Sequence, residues 1–231
     1  MSRSPRSTAR EYLEALLVAG LFLAFANTWV LKTFYIPSSS MEGTLLVGDH
    51  LVVNRFIYGS GGERVRRLLP LRPVARGDIV VFRSPEGMEL DLVKRCVAAP
   101  GDVVDFRDKR LFLNGQEVVE PYVVHRDPAI GGRTSFDAFR VRRDQFGPYR
   151  VPPAHYFCVG DNRDLSHDSR FWGPVPATLV KGRASAIYWS YGGEPPPTEW
   201  PGMARRIGQL ARTAVGFFTR TRWSRTFEVP A

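Results

Sequence analysis

Residues 12–31 read YLEALLVAGLFLAFANTWVL, and this apolar run constrains the chain more than any other feature. A bilayer-spanning helix needs roughly 20 mostly apolar residues in a row, and the run just reaches that length. Glu14 stands near one end, where a charge reaches the interface. Trp29 stands near the other, where an indole sits at headgroup level. Arg3, Arg6 and Arg10 precede the run. They predict a cytoplasmic tail over residues 1–11, an anchor over 12–31, and everything beyond Leu31 on the far side of the membrane. A cleaved secretory leader is the competing reading, because Ala24-Phe25-Ala26 offers small residues at the spacing of a leader cleavage site. The run continues through Trp29, Val30 and Leu31, which favours an uncleaved anchor. A buried core helix is the third reading, disfavoured because the run is apolar all round.

Beyond Tyr35 the pattern changes to short apolar runs bounded by Gly, Pro and Asp. Leu45-Leu46-Val47, His50 to Asn54, Ile79 to Phe82 and Leu90 to Val97 read as strands. Gly48-Asp49, Gly77-Asp78 and Pro100-Gly101-Asp102 read as turns. Asn114-Gly115, between two β-prone runs, is the strongest hairpin signal in the chain. No long helical period appears between Tyr35 and Ser190, so this part reads as mainly β. Residues Glu63 to Arg76 and Asp127 to Arg150 are polar, carry Pro or Gly-Gly, and read as loops. With 44% hydrophobic and 24% charged residues the chain has enough apolar content for a core and is not disordered in bulk.

The tail over 191–231 starts with a stiff Pro195-Pro196-Pro197 linker and turns basic from Met203 to Trp223. Apolar Ile207, Leu210, Val215, Phe217 and Phe218 interleave with its arginines. A basic amphipathic helix on lipid and a short helix packed on the body both fit this pattern. The net charge of +9 suits an anionic membrane surface or a nucleic acid. No RNA-recognition, zinc-finger or helix-turn-helix signature supports the second. Cys96 and Cys158 fit no zinc spacing, and either two buried thiols or one bridge is open to them.

Three polar stretches need reading together. Pro37-Ser38-Ser39-Ser40-Met41 places hydroxyls just after the apolar run. Asp91-Leu92-Val93-Lys94-Arg95 puts two cations inside a strand, and alternation sends them to opposite faces, so one of the two is expected inside. Gly160-Asp161-Asn162-Arg163-Asp164-Leu165-Ser166-His167-Asp168-Ser169-Arg170 reads as a hydrogen-bonded loop at a strand end.

Together these stretches resemble the bacterial type I signal peptidases, over about Tyr35 to Ser190. The match runs through Ile36 to Met41, Thr44 to Asp49, Arg76 to Phe82, Val93-Lys94-Arg95, and Gly160 to Gly173. Several separated motifs in order are more specific than any one. The resemblance implies a mainly β fold, an antiparallel coiled β-sheet peptidase core over 35–190. A small inserted β unit lies within it, over 103–155, and one transmembrane helix precedes it. It implies a Ser/Lys dyad with Ser40 as nucleophile and Lys94 as base. Ser38 falls on the oxyanion position, Ser166 on the hydroxyl that orients the lysine, and Asp168 and Arg170 on a supporting ion pair. Ile36 and Val93 fall on the lining of shallow pockets for small side chains. The strand from Asp91 to Lys94 falls where an extended leader pairs by β-addition. Burial among Leu92, Val93 and other aliphatics is what lowers a lysine's pKa from about 10.4 into a useful range. Ser39 stands where the family commonly has glycine and Leu165 where it has asparagine, and His167 and Cys96 are also less usual. None of these removes a dyad residue. His167 tempts a Ser-His proposal, but with Lys94 in the base role it reads as an exposed loop residue.

The implied activity is removal of signal peptides from secreted pre-proteins by a serine endopeptidase in the bacterial plasma membrane, with no cofactor and no metal. Pre-protein signal peptides and membrane lipid are the implied partners, with the secretion translocon as a further candidate and no nucleic acid. A specialised processing peptidase for few substrates, and a membrane-anchored β domain that only binds, are the alternative classes.

Overall fold

The computed structural model describes residues 8–25, 31–58, 71–87, 89–132, 137–193 and 202–230. Most of the basic N-terminal tail, the Trp29 end of the apolar run, much of the Arg-rich loop and the triple-proline linker lie outside the described residues.

Helix α1 (Thr8–Phe25) takes up most of the apolar run. It ends before the expected Leu31, which instead opens strand β1 (Leu31–Tyr35). Thr33, Phe34 and Tyr35 are strand formers, and they find a paired edge on β2 (Asp49–Asn54), with Leu31 opposite Asn54 and Tyr35 opposite His50. Among the described residues no helix is long and apolar enough to cross a membrane. The expectation of one continuous spanning helix over 12–31 is therefore not met.

The remaining strands are β3 (Ile79–Arg83), β4 (Asp91–Ala98), β5 (Val103–Arg107), β6 (Arg110–Leu113) and β7 (Gln116–Glu117). They are followed by helix α2 (Ala138–Asp144), strands β8 (Phe146–Arg150) and β9 (His155–Val159), helix α3 (Ser169–Trp172), strands β10 (Val175–Pro176) and β11 (Val180–Ser190), and helix α4 (Met203–Arg220). Seven strands form one sheet in the order β1-β2-β11-β3-β4-β9-β10, and four form a second in the order β7-β6-β5-β8. All the registered pairs are antiparallel. The sequence reflects position in the sheet. Central β3 is buried from Ile79 through Phe82 and reads as a continuous apolar run, whereas β2, nearer the edge, alternates. Between β6 and β7, Asn114 (φ 55°) and Gly115 (φ 85°) make the expected two-residue turn.

Two local expectations are corrected. Leu45-Leu46-Val47 is turn rather than strand. The Asp49 carboxylate accepts from the Leu46 N–H at 2.8 Å, which curls the segment and drives Leu45 into the core. The supposed loop over 127–150 contains α2, capped by Asp137, and then β8. Its inward residues are Arg143 and Asp144, a buried ion pair, so no apolar period announces it.

One core cluster unites Ile36, Met41, Leu45, Leu51, Val53, Ile79, Val81, Ala184 and Ile187. Burying one such aliphatic side chain is worth about 1.5–3 kcal/mol. Ile36 and Met41 flank the three serines, so the segment between them is nailed to the sheet at both ends. The chain is also tied there by Ile36 N–H to Asp49 O at 2.9 Å and Gly48 N–H to Ile36 O at 3.0 Å.

Candidate active site

Ser40 lies in a single 3-10 turn, Ser39–Met41, between those two anchors. Its carbonyl accepts from the Asn162 N–H at 3.2 Å, which ties the serine turn to the late polar loop. Lys94 stands in β4 opposite Val80 of β3, and its Nζ is 2.5 Å from Ser40 Oγ. Lys94 is 3% exposed, and its amine has no carboxylate within ion-pair distance among the described residues. Burial pulls its pKa from 10.5 down to about 8; the Asp168 charge opposes that shift and the Arg170 charge adds to it. About a tenth of such an amine is neutral at pH 7, and a neutral amine in hydrogen-bond contact with a hydroxyl can take its proton. Ser38 Oγ is 3.4 Å from Ser40 Oγ, on the same turn.

Ser166 is buried and reaches the same place through Gly160. A Cβ at Gly160 would lie 2.3 Å from Ser166 Oγ and 2.4 Å from Ser40 O, so only a glycine leaves the two segments this close. The Ser166 hydroxyl makes no hydrogen bond of good geometry, although it is near enough to Asp168 to favour that carboxylate's ionised form. Asp168 is fully buried. Burial alone would raise its pKa, but the Arg170 guanidinium outweighs that and holds it below the usual carboxylate range. The pair is bidentate, with Nε–Oδ1 at 2.9 Å and Nη2–Oδ2 at 2.8 Å. Asp168 also accepts from Gly160 N–H at 3.2 Å, and Arg170 donates to the carbonyls of Arg143 and Arg163.

The expectation that one of Lys94 and Arg95 faces inward is corrected: both are buried. Strand β4 has packed structure on both faces. Arg95 turns away from the dyad candidates and meets Asp161 in a second bidentate pair, at 2.9 and 2.8 Å. Thr44 Oγ1 donates to the same carboxylate at 2.6 Å, and the Tyr122 ring lies 3.7 Å from the Arg95 guanidinium carbon. Sequence patterns alone pass over this cluster. Its signal is a buried-strand arginine followed by an Asp in a polar loop, and only the fold brings them together.

Ile36 and Val93 pack in one cluster beside the serine turn. Asp91 stands at the start of β4, paired with Lys181. Strand β4 pairs with β3 over Asp91 to Arg95, but with β9 only from Arg95 onward. The other edge of Asp91 to Lys94 therefore has no strand partner among the described residues. His167 takes no part in the site: its side chain is 55% exposed, with Nε2 3.3 Å from Glu86 and its ring stacked on Phe171. Cys96 and Cys158 face each other across β4 and β9, both free and buried. No group of His, Cys, Asp and Glu among the described residues is arranged to hold a metal ion.

The family model described as "Signal peptidase, peptidase S26" matches residues 9–189. Signal peptidase I of Pseudomonas fluorescens is 33% identical over 222 residues, covering 84% of this chain and 77% of that protein. Signal peptidase I of Pseudomonas aeruginosa is 33% identical over 206 residues, covering 78% and 72%. A crystal structure of a signal peptidase I from Enterococcus faecalis is 30% identical, covers 49% of this chain and 98% of its own, and has a TM-score of 0.38.

Proposed function

The chain belongs to the signal peptidase family, peptidase S26, a family of serine peptidases, and on that premise we propose that it removes signal peptides with Ser40 as nucleophile and Lys94 as general base. The observation that carries this reading is the 2.5 Å contact between the Ser40 hydroxyl and a buried lysine that has no carboxylate within ion-pair distance among the described residues. Neutral Lys94 takes the hydroxyl proton as Ser40 Oγ attacks the scissile carbonyl carbon. The developing oxyanion takes hydrogen bonds from Ser38 Oγ and the Ser40 N–H. Protonated Lys94 then gives its proton to the leaving amine as the C–N bond breaks. The mature protein departs and the leader remains as an ester on Ser40. Water, deprotonated by Lys94, hydrolyses that ester. Ser166 orients the amine, and the Asp168–Arg170 pair holds the loop that carries it.

Cleavage falls after a small residue, with a second small residue at the third position before the cut. The close packing of Ile36 and Val93 supports shallow apolar pockets there. The edge of Asp91 to Lys94 that has no strand partner among the described residues supports an extended leader lying alongside as an added strand. Residues 35–190 form the catalytic unit, with 103–155 as its insert and 191–231 as the linker and tail. Helix α1 is the membrane anchor. Tyr12, Leu16 and Leu21 on it are each about 70% exposed, a burden of bare apolar side chains that lipid relieves. Eighteen helical residues rise about 27 Å, close to the thickness of a hydrocarbon core. The chain then sits in the bacterial plasma membrane with its N-terminus cytoplasmic and Ser40 outside, close to emerging leader junctions. Its partners are pre-protein signal peptides and lipid, with the secretion translocon as a further candidate.

The test is cleavage of a purified pre-protein by the detergent-solubilised chain, with both products located by mass spectrometry. The expected result is one cut at the leader junction, absent with Ser40→Ala. No cleavage across several different leaders would overturn the reading.

A further inference from the structure

Helix α4 faces the opposite way from an ordinary amphipathic helix on a globular body. It packs on the protein through small, polar and aromatic residues. Gln209 and Thr213 line a pocket with Tyr35 and Trp189, a Cβ at Gly216 would lie 2.8 Å from Tyr191 Oη, and Phe217 packs on Trp189. The opposite face is apolar and bare. Met203, Ile207, Ala211, Ala214, Val215 and Phe218 follow the helical period along it, and all are exposed, Val215 and Phe218 by 85% and 77%. Large apolar side chains aligned outward in this way mark an interaction surface.

We infer that the outward face of α4 docks flat on an anionic lipid surface. Charge selects this occupant. The helix sequence MARRIGQLARTAVGFFTR holds four arginines and no acidic residue. Anionic headgroups attract such a helix, and a second copy of the same helix repels it. Position agrees. The pocket beneath α4 includes Tyr35, the last residue of β1, which leads out of the N-terminal apolar run. Just past α4 the chain grips the segment that follows Ser40: Arg222 donates to Val47 O at 2.6 Å and Arg225 to Thr44 O at 2.8 Å. Lipid contact at α4 therefore fixes the level of the serine turn relative to the membrane at a second point, besides α1. All of α4, with its exposed stripe, lies beyond the residues that the family model matches, so this surface belongs to the chain's own tail.

The test uses the full chain reconstituted into phosphatidylcholine/phosphatidylglycerol vesicles. An environment-sensitive dye is placed on Val215→Cys, and separately on exposed Glu117→Cys in the small sheet; the buried Cys96 and Cys158 stay unlabelled. Brominated acyl chains are expected to quench the dye at 215 at least twofold more than that at 117, with iodide quenching in the reverse order. Arg212→Gln with Arg220→Gln is expected to remove the difference between vesicles with and without phosphatidylglycerol. Equal iodide access at 215 and 117 overturns the inference. Shielding at 215 from both quenchers, growing with protein-to-lipid ratio, also overturns it and points to a second copy. The readout is local to α4, so it stands or falls apart from any peptide cleavage at Ser40.

Discussion

Lys94 and Arg95 are neighbours in β4 and are 3% and 2% exposed, yet only Arg95 meets a carboxylate. The fold neutralises one buried cation with Asp161 and leaves the other facing a hydroxyl. Different consequences follow for each.

Lys94 weakens the fold at neutral pH. Its folded pKa, about 8, lies below the ordinary value of 10.5, so between these values the unfolded chain holds a proton that the folded chain lacks. Stability therefore rises with pH across that window, and below about pH 8 the full penalty, of order 3 kcal/mol, is in force. Lys94→Met is expected to abolish cleavage and raise the unfolding free energy by about 1–3 kcal/mol at pH 7, with the gain fading toward pH 10.5. Urea unfolding at several pH values checks this; a less stable Lys94→Met at pH 7 would contradict it.

Arg95 has the reverse signature. Arg95→Met leaves Asp161 buried without its cation, at a cost of about 3–5 kcal/mol. Adding Asp161→Leu removes the stranded charge and is expected to recover most of that loss. Activity stays low in the double variant, because Thr44, close behind Ser40, has lost its acceptor. Melting and turnover measured together separate the two effects.

Much of the β architecture is legible in the residue pattern itself. Asn114-Gly115 announces its hairpin because few residue pairs tolerate two left-handed positions in succession, and Ile79 to Phe82 announces a central strand by its unbroken apolar run. Leu45 to Val47 misleads for the same reason: an apolar run says buried, not extended, and the Asp49 side chain decides its shape. Helix α2 is silent in the sequence because it buries a charge pair in place of an apolar stripe. The dyad candidates are readable only by family resemblance, since no spacing rule joins Ser40 to Lys94 across 54 positions.

Ser38 offers its hydroxyl beside Ser40 from the same pinned turn. Ser38→Ala is expected to lower kcat by about 100- to 1000-fold while leaving KM nearly unchanged, as befits a donor that binds only the oxyanion. Steady-state kinetics on one pre-protein gives both numbers. A change confined to KM would assign Ser38 to leader binding instead.

Gly160 is the spacer between Ser166 and the Ser40 carbonyl. In Gly160→Ala the new methyl must displace one of them, since it would lie within 2.4 Å of each. A displacement near 1 Å at a reacting group costs about 100-fold in rate, and that loss is expected here. Circular dichroism melting alongside the assay distinguishes a displaced dyad from an unfolded chain.

The most direct test of the central claim, that Lys94 is the base for Ser40, is the pH dependence of kcat/KM for wild type, Lys94→Ala and His167→Ala over about pH 6 to 10. The wild-type rate should climb roughly tenfold per pH unit and level off near pH 8, where Lys94 loses its proton. His167→Ala should follow the same curve, and Lys94→Ala should be inactive throughout. A pH-dependent limb that disappears in His167→Ala, or activity retained by Lys94→Ala, would contradict the assignment.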